Sequence, residues 1–181
     1  MKLYIKDMVG VQCKMRVKKE LEKLEIPCRL IDLGVVELPK ELTLIQRNKF
    51  KENLLEYGLK LHEDKKEILV EKIKISIHRM IQYPDMFPVI NYSEHLSRKL
   101  DYDYTYLANI FSEVNKITIQ QYIILKKIEI VKKLILLNDL NLTEISYKLN
   151  YSSVAHLSGQ FKKVTGISPS YFKILHQKRE C

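Results

Sequence analysis

Tryptophan is absent from the 181 residues, and glycine and proline occur only five times each. So few turn formers leave little room for an all-β chain, which needs turn signals every ~8–12 residues. Cysteine occurs three times, an odd number spread along the chain. That argues against a disulfide framework and for a reducing cytoplasm. No apolar stretch approaches the ~20 residues of a membrane-spanning helix. The run at 123–125 is broken by Lys126 and Lys127, and the run at 134–137 is short. The opening MKLYIKDMVG is too polar for a secretory signal. His62, His78, His95, His156 and His176 form no metal-spaced set, and the glycines form no phosphate loop. An enzyme is therefore not expected, and nothing calls for a cofactor or a membrane.

Positive charge is what the chain has in excess. There are 31 Lys+Arg against 22 Asp+Glu, a formal charge of +9 and a pI of about 9.3. Such a balance favours a polyanionic partner. The excess is spread along the chain, +5 over residues 1–82 and +4 over 83–181. Charge alone would describe a solvated basic surface equally well, so the argument turns on pattern.

Residues 142–172 read as a short helix, a tight turn, a second helix and a proline-started third. Leu142, Ile145 and Leu149 make one apolar face. Asn150-Tyr151 supplies the turn, since Asn visits the left-handed region at low cost. Ser152 or Ser153 caps a helix whose inward positions are Val154, Leu157 and Phe161. Its outward positions, Ala155, His156, Ser158, Gly159, Gln160, Lys162 and Lys163, are small, polar or basic. Gly166 stops it, and Ser168-Pro169 starts another. A helix with a small polar face behind a tight turn can enter the major groove of DNA.

Residues 93–122 repeat this pattern. Leu96 and Leu100 face inward on the first helix, Asp101-Tyr102-Asp103 forms the turn, and Leu107, Ile110 and Phe111 face inward on the second. Leu107 and Phe111 align with Leu157 and Phe161. Lys116-Ile117-Thr118-Ile119 aligns with Gly166-Ile167-Ser168-Pro169, and Tyr122 aligns with Phe172. Two such units about fifty residues apart are an internal repeat. Over roughly residues 90–175 the chain resembles the AraC/XylS family of bacterial transcription regulators. The resemblance implies two helix-turn-helix units on one linker helix, double-stranded DNA as partner and a contact with RNA polymerase. Two departures stand out: Asn150-Tyr151 replaces the family's Gly-aromatic turn, and Gly159 stands where a larger polar residue is common.

Residues 119–137 form the expected linker, with Tyr122, Leu125, Ile128, Val131 and Ile135 on one stripe. At ~1.5 Å per residue it is roughly 30 Å long. One turn of B-DNA is about 34 Å, so one chain can place two reading helices in successive major grooves. The expected base readers are Thr105 and Asn109 in the first unit, beside Tyr104, Tyr106 and Ala108. In the second unit they are Ser153, Val154, Ala155, His156, Gly159 and Gln160, with Ser158, Lys162 and Lys163 on phosphates. Asn suits adenine, His156 and Gln160 can donate or accept at base edges, and Val154 or Ala155 suits the thymine methyl. Neither face carries Arg, so an A/T-leaning site is expected.

The first 62 residues alternate between strand and helix in the order β-α-β-β-α-β, that of a ferredoxin-like sandwich. They resemble the small heavy-metal-associated domains, whose metal loop carries two cysteines. Here the loop is Met8-Val9-Gly10-Val11-Gln12-Cys13, with Gly10 at the first cysteine position. Cys13 is thus a weak metal candidate, because a soft metal needs two or more thiolates. The helix at 63–82 carries Leu69, Ile73, Ile77 and Met80 on one stripe. That stripe needs cover from the sandwich or from a second copy, a candidate homodimer face.

The expected fold class is an α+β N-terminal ferredoxin-like sandwich joined to an all-α double helix-turn-helix domain. The expected domains are the sandwich at 1–62, an amphipathic helix and linker at 63–88, and the reader at 89–181. The expected function is that of a cytoplasmic, nucleoid-associated, sequence-specific regulator. The alternative is a metal- or thiol-responsive sensor acting through the N-terminal domain.

Overall fold

A computed structural model of the chain describes residues 1–8, 10–84, 91–137 and 139–177. It divides into two compact units, Met1–Ile75 and Ser76–Cys181.

The first unit runs β1 (Lys2–Lys6), α1 (Val11–Lys23), β2 (Leu30–Asp32), β3 (Val35–Glu37), α2 (Leu44–Leu55) and β4 (Lys60–Leu61). The sheet order is β2-β3-β1-β4, and every neighbouring pair is antiparallel. This is the β-α-β-β-α-β order read from the sequence, wound as a ferredoxin-like sheet. Leu3 pairs with Val36 and Ile5 with Leu61. The two-residue period of the strands therefore sends these side chains to one face. Val17, Leu21, Phe50 and Leu54 of α1 and α2 complete that core. Thr43 and Gln46 form a capping box that starts α2. The buried Glu20 carboxylate fixes α1 on α2 by accepting from Asn53 Nδ2 at 2.8 Å and Tyr57 Oη at 3.0 Å. It also accepts from Lys23 Nζ at 2.6 Å, which contributes most to holding the carboxyl below its ordinary value.

The next helix is α3 (Lys65–Gln82), whose apolar stripe needs cover from the sheet or from a second copy. Its first half rests on the face of the sheet opposite α1 and α2. Lys72 Nζ lies 5.5 Å above the Tyr4 ring. A Cβ on Gly34, the hairpin residue at φ +72°, would come within 2.8 Å of Glu71 Oε1. The stripe of Leu69, Ile73, Ile77 and Met80 is 0–8% exposed within the single chain. That stripe is therefore not available as the expected homodimer face, because it is already covered.

The second unit carries α4 (Tyr92–Leu100), α5 (Tyr104–Asn115), α6 (Ile119–Leu137), α7 (Leu142–Lys148), α8 (Val154–Thr165) and α9 (Pro169–Gln177). The expected linker at 83–88 falls largely outside the described residues. The helix α6 packs against α5, α7, α8 and α9. Its buried residues are Ile119, Ile123, Ile128, Val131 and Ile135. Tyr122 is half-buried and Leu125 is 38% exposed, so the single expected stripe is wrong at its N-terminal end. A rod that serves a helix pair at each end must turn apolar residues in more than one direction, which one helical stripe cannot describe. Among the described residues, no helix is long and apolar enough to cross a membrane.

Candidate nucleic-acid interface

Two helix-turn-helix units are built by the same local chemistry fifty residues apart. Asn91 caps α4 and Asn141 caps α7, each accepting from a backbone N–H of the first turn. Asn141 and Glu144 complete a capping box. Asp103 caps α5 through Thr105 and Tyr106, and Ser153 caps α8 through His156. The Thr105 backbone N–H, the largest of several hydrogen bonds, holds the exposed Asp103 carboxyl below its ordinary value.

Both second helices stop on a left-handed residue, Lys116 at φ +60° and Gly166 at φ +82°. Their N–H groups donate to Ser112 O at 2.9 Å and Lys162 O at 2.8 Å. Thr118 and Ser168 then cap the helices that follow. Finally, each unit is locked edge to face by two aromatics. Phe111 meets Tyr122 at 5.4 Å and 63°, and Phe161 meets Phe172 at 5.5 Å and 70°. Leu96, Leu107, Phe111, Leu157 and Phe161 are fully buried, so the second helix of each unit is anchored by the residues the repeat predicts.

The turns differ in one detail. In the first unit the left-handed residue is Asp101, two positions before the cap; in the second it is Asn150, three positions before it. Tyr151 N–H reaches Ser146 O at 2.9 Å and Asn150 N–H reaches Tyr147 O at 3.0 Å, closing the end of α7. The extra residue sends Tyr151 inward to 7% exposure. Burial, assisted by nearby Tyr92, pushes its phenol up to about 12.

Lys127 joins the linker helix to that turn. Its Nζ donates to Leu149 O at 2.7 Å and stands 4.9 Å over the Tyr151 ring. Burial pushes the ammonium below its ordinary lysine value. No sequence pattern announces this contact, because Lys127 lies off the apolar stripe and 22 residues from its partner.

The residues expected to read DNA fall on the outer faces of α5 and α8. Thr105, Asn109, Ser153, Ala155, His156, Gly159, Lys162 and Lys163 are exposed. Tyr104, Ala108, Val154, Ser158 and Gln160 are half-buried, and burial raises the Tyr104 phenol above its ordinary value. Beside Thr105, Tyr102 and Tyr106 stack at 5.3 Å and 21°, both about half-exposed. On α8, His156 is bonded through both ring nitrogens, to Ser152 and to Gln160. Open space surrounds the Cα of Gly159, so its missing side chain leaves the helix surface low at that point. Cys13 is half-buried and Cys28 exposed, and no cluster of His, Cys, Asp and Glu able to hold a metal forms among the described residues.

Residues 96–173 match the family model described as a helix-turn-helix domain. No curated protein matches the chain. Among solved structures, the C-terminal domain of AraT, a response regulator from Geobacillus stearothermophilus, superposes with a TM-score of 0.54 at 20% identity. That match covers 62% of this chain and 88% of the other. The DNA-binding domain of AdpA, a global transcriptional factor solved with a target DNA, gives 0.53 at 14% identity. It covers 61% of this chain and 94% of that one. At these identities the likeness is one of fold. Residues 96–173 thus form a helix-turn-helix domain, with two helix pairs packed on the one linker helix α6.

Proposed function

We propose that the chain is a sequence-specific transcription regulator that reads two successive major grooves with α5 and α8. The observation that carries this reading is the duplication itself: two helix pairs with equivalent caps, left-handed stops and aromatic locks, at either end of α6. The 19 residues of α6 span roughly 28 Å at ~1.5 Å per residue, close to the ~34 Å repeat of B-DNA. Both helix pairs belong to one chain, so a monomer suffices for both contacts.

In this reading Thr105 and Asn109 meet base edges in one groove, flanked by Tyr104 and Ala108. In the other groove Ser153, Val154, Ala155, His156 and Gln160 do so, and Gly159 lets the α8 backbone approach the duplex. Ser158, Lys162 and Lys163 lie on phosphates. The exposed polar faces without Arg support a site rich in A·T pairs.

Selection of bound sites from a random duplex pool tests this. One motif should be retained at least ~10³-fold more tightly than random duplex, and affinity should fall steeply with salt. A chain that retains no motif above random duplex would overturn the reading.

A further inference from the structure

The imidazole of His156 is held at both nitrogens. Gln160 Nε2 lies 3.1 Å from His156 Nε2, and Ser152 Oγ lies 2.9 Å from His156 Nδ1. An amide nitrogen can only donate, so Nε2 accepts and carries no proton. The neutral ring then has its proton on Nδ1 and donates it to Ser152 Oγ. Donation therefore runs one way, from Gln160 through His156 to Ser152, and the Ser152 hydroxyl proton is free to point outward. The Tyr151 ring backs the imidazole at 5.3 Å and 85°. Tyr151 is itself buried beneath Lys127, so the ring rests on a fixed surface. Ser152 takes no part in capping α8, which Ser153 does by accepting from the His156 N–H at 3.0 Å.

Gln160 keeps one N–H and its Oε1, which have no partner among the described residues. An acceptor beside a donor is what adenine requires in the major groove, through N6–H and N7. A free glutamine amide swings away on its rotatable bonds; this one is held against the His156 ring, 3.1 Å away. The geometry points to Ser152 and His156 as positioning residues that lock Gln160 as the reader of one adenine. This rests on α8 being a groove-reading helix, as proposed above, and goes beyond it by naming the base and the residues that set the preference.

The test uses the full chain and its selected site. Gln160→Ala identifies the adenine position as the one where base preference disappears. There the unaltered chain should prefer adenine by about 5- to 150-fold. Ser152→Ala should lower that preference several-fold while every other position keeps its own, and His156→Leu should lower it as well. Ser152→Thr, which retains the hydroxyl, should preserve it. The inference is overturned if Ser152→Ala leaves the adenine preference intact, or if Ser152→Thr loses it as fully as Ser152→Ala. It is overturned alone if the chain selects a motif that Gln160→Ala does not change. If the chain selects no motif, the groove-reading function fails first.

Discussion

Replacing Lys127 by Met keeps most of the aliphatic stem and removes the ammonium. Two interactions disappear with it. The charged hydrogen bond to Leu149 O, 2.7 Å long, is worth about 1.5–3 kcal/mol. The cation over Tyr151 at 4.9 Å adds about 0.5–2 kcal/mol. Against these stands the cost of burying the cation, visible in its depressed ionisation, which methionine does not bear. The first of these losses is the one that leaves the Leu149 carbonyl at the end of α7 without its donor. The net expectation is a loss of about 2 kcal/mol. With a urea slope of ~1–3 kcal/mol/M, the unfolding midpoint falls by roughly 1 M. Circular dichroism in a urea series reads this directly. An unchanged midpoint for Lys127→Met would refute the tether between α6 and the second turn.

Four further outcomes are expected. Lys116→Gly relieves a left-handed side chain and should stabilise the first helix-turn-helix unit by up to ~1 kcal/mol. Gly166→Ala meets no neighbour but is strained at φ +82° and should cost about 1–2 kcal/mol, so thermal melting of the two variants should move in opposite directions. Gly159→Ala should stabilise α8 by ~1 kcal/mol because its Cβ enters open space, yet weaken duplex binding if the backbone approaches the groove there; equal or tighter binding would argue against that approach. The last outcome concerns pH.

In the N-terminal unit, His62 Nδ1 lies 3.0 Å from Glu67 Oε2, and Nε2 lies 3.6 Å from Glu71 Oε2. Burial pulls the imidazole down, but the two carboxylates outweigh it and the His62 value is raised above 6.5. Chiefly through the His62 hydrogen bond, the Glu67 value is lowered below 4.5. The raised histidine contributes stability that is full below 6.5 and lost as pH climbs through its folded value. The lowered carboxylate contributes stability that is full above 4.5 and lost as pH falls through its folded value. The clasp is therefore complete between about pH 4.5 and 6.5. Denaturant midpoints of the chain should decline above that window, and His62→Gln should flatten the decline.

Local chemistry made most of the reader legible. Ser153 and Ser168 as caps, Asn150 and Gly166 as left-handed residues, and Phe111 and Phe161 as anchors all follow from short-range rules. The β-α-β-β-α-β order is equally readable, because β1 alternates and the two helices are amphipathic segments between the strands. Long-range decisions were not. Nothing periodic distinguishes Ile123, which is buried, from Leu125, which is exposed, until helices pack on two sides of α6. Whether the sheet or a second copy covers α3 depends on the geometry of β1 and Gly34. Lys127 and Ser152 look like surface residues in the sequence because their partners are set by the turn, not by spacing.

The central claim is that one chain engages two grooves one helical turn apart. Hydroxyl-radical footprinting of the selected duplex, at a binding stoichiometry measured in parallel, tests it most directly. The account expects two protected patches about 10 base pairs apart on one face, produced by a single chain per duplex. One patch alone, or two patches that require two chains, would contradict it.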